Sequence, residues 1–118
     1  ILEKEPENAH AWNFLGYSLL DRGVDMDKAY SYINKAVKFA PNDGYIRDSL
    51  GWYYYKAGKF EKSLEHLSKA IKQVPHDVTV AKHIAMVYEK MKNYSKAKQF
   101  YVQALKFVQN VMSLKVLS

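Results

Sequence analysis

Residues 36–51 read Ala36–Val37–Lys38–Phe39–Ala40–Pro41–Asn42–Asp43–Gly44–Tyr45–Ile46–Arg47–Asp48–Ser49–Leu50–Gly51, and the fold follows from where this stretch recurs. Its first half returns as Ala70–Ile71–Lys72–Gln73–Val74–Pro75–His76–Asp77. It matches Ile1–Leu2–Glu3–Lys4–Glu5–Pro6–Glu7–Asn8 as well. The three prolines, Pro6, Pro41 and Pro75, thus stand 35 and 34 residues apart. Gly16 and Gly51 carry the same 35-residue shift, and Ala85 follows 34 residues later. A fixed period in this range marks a repeat architecture, in which each unit buries its apolar face against its neighbours.

Each unit reads as two helices. In the first, Trp12, Leu15 and Leu19 recur at helical spacing, and Gly23 suits the left-handed residue that ends a helix. Ala29, Ile33, Ala36, Val37 and Ala40 mark a second helix. It ends before Pro41, because a residue preceding proline avoids the helical region. Asn42 and Asp43 can cap the next start. The second unit repeats this with Leu50, Gly51 and Tyr54, a stop at Gly58, then Phe60, Leu67, Ala70 and Ile71, Pro75, and Asp77 as cap. The third has Ala81, Ile84, Ala85 and Tyr88, with Asn93 expected at the stop, then Tyr94, Ala97, Tyr101, Ala104 and Leu105. Gly16, Gly51 and Ala85 on first helices, and Ala36, Ala70 and Ala104 on second helices, let partners approach closely. Trp12, Leu67 and Tyr101 are expected to fill the gaps between them.

The pattern resembles the tetratricopeptide repeat, W-x2-L-G-x2-Y, then A-x3-F, then P. The first unit supplies Trp12, Leu15, Gly16, Leu19, Ala29, Ile33, Ala36 and Pro41. The second supplies Arg47, Leu50, Gly51, Tyr54, Ser63, Leu67, Ala70 and Pro75. The third supplies Ala81, Ile84, Ala85, Tyr88, Ala97, Tyr101 and Ala104, with Gln109 where proline is expected. The first unit has one extra residue in its Gly23–Asp27 turn. The resemblance implies an all-α fold: a right-handed α-solenoid of three helix-turn-helix repeats plus a C-terminal capping or truncated helix. Residues 1–8 are expected to be the tail of a preceding repeat, so that the chain is a piece of a longer protein. Repeats are expected over 9–43, 44–77 and 78–111, with a helical extension over 112–118. The stretch from Gly44 to Trp52 is similar to a variant common in bacterial members, which places such a protein in the bacterial cytoplasm or cell envelope.

Composition narrows the function classes. Of 118 residues, 48% are hydrophobic and 25% charged, which excludes a disordered chain. No apolar run approaches the roughly 20 residues of a membrane-spanning helix. The absence of cysteine excludes a disulfide framework, a thiolate metal site and a thiol nucleophile. The net charge of +6 is uneven: −2 over residues 1–43, +2 over 44–77 and +6 over 78–118. Lys90, Lys92, Lys96, Lys98 and Lys106 offer a basic patch for nucleic acid or an anionic surface. Yet only Arg22 and Arg47 carry the planar fork that reads phosphate and base edges, so nucleic acid is disfavoured.

The four histidines have no converging carboxylates to complete a metal site. No glycine-rich phosphate loop or nucleophile elbow is present. The expected chain is no enzyme and needs no cofactor or metal. The resemblance instead implies a concave partner groove lined by the first helices. Carried over in register, the groove positions are His10, Asn13, Tyr17, Leu20 and Asp21; then Tyr45, Asp48, Trp52, Tyr55 and Lys56; then Thr79, Lys82, Met86, Glu89 and Lys90. Tyr17, Trp52, Tyr55 and Met86 would form an aromatic-lined floor. Asn13 and Asp48 would hydrogen-bond an extended backbone, and Lys56, Lys82 and Lys90 would receive acidic side chains. Three first helices packed about 8–10 Å apart hold roughly six extended residues of a protein or peptide partner. The carboxylate clamp of chaperone-binding members is not expected, because Asn13, Tyr17, Ser49, Thr79 and His83 occupy its five positions. A competing use is self-association through the apolar tail of Val108, Val111, Met112, Leu114, Val116 and Leu117.

Overall fold

The computed structural model describes residues 8–117, with side chains through Leu114. Residues 1–7, where the tail of a preceding repeat is expected, lie outside the described residues, as do the side chains of Val116 and Leu117. The order is α1 (Ala9–Arg22), α2 (Met26–Phe39), α3 (Gly44–Lys56), α4 (Phe60–Gln73), α5 (Val78–Lys90) and α6 (Tyr94–Leu117). No strand occurs among the described residues. The helices pair as α1/α2, α3/α4 and α5/α6, and each pair stacks on the next through α2/α3 and α4/α5. First helices also touch first helices, α1 with α3 and α3 with α5, whereas among the described residues α2, α4 and α6 do not touch one another. The stack therefore curves, with α1, α3 and α5 on its inner face and α2, α4 and α6 splayed on its outer face. It is an all-α solenoid.

Local chemistry sets the boundaries. Asn8, Asp25, Asp43, Asp77 and Asn93 each accept a backbone N–H in the first turn that follows, at 2.9–3.3 Å. Gly23 and Gly58 end α1 and α3 at φ +68° and +78°. In the third repeat the left-handed residue is Lys92 at φ 63°, not the expected Asn93, which caps α6 instead. The extra residue of the first turn is absorbed at Asp25, which caps α2 from φ 49°. Lacking proline at 109, α6 runs unbroken for 24 residues. The expected C-terminal element is thus a continuation of the third repeat's second helix.

The small residues are where closeness demands them. A Cβ on Gly16 would lie 2.6 Å from the Ile33 side chain and 3.0 Å from the Ala29 carbonyl oxygen. On Gly51 it would lie 2.6 Å from the Leu67 side chain. Ala36, Ala70 and Ala104 are buried, as expected. Ser63, where the repeat pattern has alanine, is buried and donates its hydroxyl to the Gly51 carbonyl at 2.7 Å. One cluster, around Leu20, Ala29, Ile33, Leu50, Trp52 and Tyr54, joins the first and second repeats. Another, around Leu67, Ala70, Val80, Ile84 and Val87, joins the second and third. Leu67 fills its gap, but Tyr101 is 38% exposed and donates its hydroxyl to Glu89 at 2.8 Å.

Candidate functional site

The inner face is built by α1, α3 and α5, and the groove positions divide there by burial. Tyr17, Tyr55 and Met86 are half-buried and pack onto the first core cluster. Asn13 is half-buried, whereas Tyr45, Lys56, Thr79, Lys82, Glu89 and Lys90 are exposed. Leu20 is sealed in the core and cannot touch a partner. Trp52 and Asp48 are only 8% and 6% exposed, so they lie within the floor rather than on it. Three consecutive tyrosines diverge. Tyr54 is core, Tyr53 stands 4.9 Å from Tyr30, and Tyr55 lies parallel to Trp52.

At the centre the rings of Tyr55, Trp52 and His83 form one stack. Trp52 and Tyr55 are 4.6 Å apart at 8°, and Trp52 and His83 are 4.0 Å apart at 14°. The Lys56 ammonium lies 5.3 Å over the indole. His83 donates Nδ1–H to Asp48 Oδ1 at 2.9 Å, across 35 residues of sequence and between the second and third repeats. Burial first, then the charges of Asp48 and Asp21, push the Tyr17 hydroxyl above its ordinary pKa. Asp48 thus faces the first repeat as well as the third. Two polar atoms of this face are fully enclosed without a hydrogen-bond partner among the described residues: Asn13 Oδ1 and Trp52 Nε1.

The sequence singled out Asp48 and Trp52 but not His83, which it weighed only as a metal ligand and as a clamp position. Its signal was present in the register. One position further along its repeat than Asp48, on the adjacent first helix, it sits within reach of that carboxylate. Among the described residues no group of three His, Asp or Glu side chains converges as a metal site. No described helix is long and apolar enough to cross a membrane.

Of the five basic-patch residues, only Lys90 also holds a groove position. Lys90 ends α5, Lys92 lies within the α5/α6 turn, and Lys96 lies 5.5 Å from the Tyr88 ring centroid. Lys98 and Lys106 line a shallow recess on α6 with Val102 and Phe107. Among the described residues no lysine forms an ion pair. The other solvent-facing feature is apolar. Along α6, Leu105, Val111, Met112 and Leu114 are 49–68% exposed.

Known proteins carry the same pattern. Family signatures described as tetratricopeptide repeat match residues 1–44, 46–77 and 83–107. The TPR repeat-containing protein PA4667 of Pseudomonas aeruginosa is 46% identical over 59 residues, which is 50% of this chain and 10% of that protein. Among solved structures, MamA from Desulfovibrio magneticus RS-1 superposes with a TM-score of 0.79 at 20% identity, over 92% of this chain and 61% of that one. MamA of AMB-1 gives 0.76 at 22% identity, over 92% and 64%. The chain spans a tenth of the Pseudomonas protein and less than two thirds of these two MamA chains. At these identities the MamA likeness concerns the fold.

Proposed function

The chain belongs to the tetratricopeptide-repeat family, with bacterial relatives, and from that premise we propose that it is a protein–protein interaction scaffold whose inner face holds a short extended or helical segment of a partner. The observation that carries this is the half-buried row Tyr17, Tyr55 and Met86, contributed by three successive first helices and bordered by the exposed Lys56 and Lys82. A surface of that kind gives a partner apolar area at its centre and charge at its rim, the usual anatomy of an interface. The unpaired Lys56, Lys82 and Lys90 favour a segment carrying acidic side chains. On this reading the role is binding, and in it the Asp48–His83 pair, buried against Trp52, ties the second repeat to the third.

Trp52 is too deeply packed to serve as a clean probe. The test is a pull-down from bacterial lysate comparing wild type with Tyr17→Ala/Lys82→Ala, both checked by circular dichroism. A protein retained by wild type and lost by the variant is expected. Equal retention by both would remove the groove from the reading.

A second reading rests on α6. Leu105, Val111, Met112 and Leu114 are 49–68% exposed along one helix, the kind of apolar surface that marks an interaction site when it is contiguous. On this reading the tail associates with a second copy. Light scattering should then give a mass above one chain, falling to one chain after truncation at Gln109. A monomer at both lengths sinks it.

A further inference from the structure

The outer face carries a polar cluster that the groove does not use. Among the described residues α2 and α4 do not touch, so an opening lies between them with α3 beneath it. Arg47 on α3 spans it. Its Nη2 donates to the Pro41 carbonyl at 3.0 Å, just past the end of α2, and its Nη1 stands 3.4 Å from His66 Nδ1 on α4. An arginine only donates, so His66 Nδ1 accepts and the ring proton sits on Nε2. The His66 ring lies parallel to Tyr54 at 5.4 Å, and the Lys62 ammonium is 5.4 Å from the Tyr54 centroid. Lys62, His66 and Lys69 follow at spacings of four and three along α4, which places them on one stripe. The charges of Lys62 and Lys59 reach the Tyr30 hydroxyl on α2, so this stripe looks across the opening.

What this corner can offer a ligand is a set of donors: His66 Nε2–H, one further N–H on each terminal nitrogen of Arg47, and two exposed ammonium groups. Neither Arg47, Lys62 nor Lys69 has a carboxylate partner among the described residues. Asp43, one turn before Arg47, is engaged in capping α3 and in a 3.4 Å pair with His10. The exposed Glu65 favours a charge on His66, whereas Arg47, Lys69 and Lys62 all oppose one.

We propose that Arg47, His66, Lys62 and Lys69 form a binding site for a tetrahedral oxyanion, phosphate or a phosphoryl group, on the outer face and separate from the inner groove. A guanidinium presents planar, paired N–H donors to such an anion, and the imidazole and the two lysines add donors from flanking turns. A doubly charged oxyanion suits the corner better than a carboxylate, because three fixed cations there face one acid. Protonation of His66 belongs to the same event. A charged imidazole sets its Nδ1–H against the Arg47 N–H groups, donor against donor. An oxyanion that accepts from both relieves this opposition, so anion and proton bind together. The anion therefore raises the His66 pKa from its lowered value, and binding tightens as pH falls through the imidazole range.

The first probe is sulfate, which keeps its double charge across the pH range of interest. It is titrated into the chain at fixed ionic strength while the His66 ring signals are followed by NMR. Sulfate should shift these signals saturably, where chloride does not. It should bind roughly threefold or more tightly at about pH 5.5 than at about pH 7.5. His66→Gln should abolish that pH dependence. Lys62→Gln/Lys69→Gln alters two exposed positions, keeps the helical circular dichroism, and should weaken sulfate roughly fivefold or more. Inorganic phosphate and a blocked phosphoserine peptide are then compared at about pH 7.5. A peptide that binds as well as phosphate places the group on a partner side chain, and a peptide excluded while phosphate binds places it on the free ion; both support the site. His66 signals that chloride moves equally, or a lysine variant that binds sulfate within twofold of wild type, overturn it. Binding of equal strength at both pH values in wild type overturns the part assigned to His66. The groove reading is untouched by any of these results.

Discussion

His66 shows how much a single position depends on its neighbours. Its ring lies parallel to Tyr54 at 5.4 Å, and its Nδ1 is 3.4 Å from the Arg47 guanidinium. Burial first, then the Arg47 charge, lower its pKa below the ordinary 6.5. As pH falls through 6.5 the unfolded chain takes up this proton before the folded chain does. The stability associated with the neutral ring is therefore complete above pH 6.5 and is lost as pH falls toward the lower native value. His66→Gln removes the titration and should flatten the melting temperature between pH 7 and 5 relative to wild type. Equal slopes for the two proteins would show that His66 is not held neutral by its site. Lys92 shows the limit of residue propensity as a guide. Asparagine favours the left-handed region, which pointed to Asn93. The repeat spacing instead puts the backbone turn at 92, where lysine adopts φ 63°. The backbone position is inherited from the period, and the side chain found there has to comply.

At the scale of the element, helix starts, stops and close approaches were legible because each rests on local chemistry repeated three times. The Gly51 contact is the sharpest case. Its missing side chain lets α3 meet α4 over Leu67, which is fully buried and has nowhere to retreat, with the Ser63 hydroxyl on the Gly51 carbonyl beside it. Gly51→Ala should therefore destabilise the chain by about 1–3 kcal/mol through overpacking, despite alanine's better helix propensity. Denaturant titration would measure this, and a stabilised variant would mean that the two helices do not meet there. The site was less legible than the helices. Helical periodicity assigned Asp48 and Trp52 to the inner face but could not say how deep they lie. Depth depends on His83, 35 residues away, which covers one face of the indole and takes the carboxylate. No spacing rule within one helix encodes a pair of that kind. The same blindness explains Leu20, which has a groove register and a core environment, and Tyr101, which has a core register and is exposed.

At the scale of the whole molecule, a stack in which each pair touches only its neighbours should lose stability from its ends inward. The distribution of burial here says which helices go first. α3 buries eight of its residues and meets α1, α2, α4 and α5. α1 buries only Gly16 and Leu20, and among the described side chains of α6 the last buried one is Ala104. Between Leu105 and Leu114 the side chains of α6 are exposed except Phe107, half-buried against His76, so this stretch rests mainly on its own backbone bonds. An isolated helical segment of that length is marginal in water. Native-state hydrogen exchange should therefore give a graded profile. α3 should be slowest, α4 and α5 next, and α6 after Ala104 fastest, with at least about 1 kcal/mol separating α3 from that segment. Uniform protection across all six helices would mean that the chain unfolds as one cooperative body. Capture of α6 by a second copy would instead slow exchange selectively at 105–114, and more so at higher protein concentration. The profile at two concentrations thus distinguishes a frayed end from an occupied one, while protection within α3 is set by the Asp48–His83 bridge and its neighbours at either concentration.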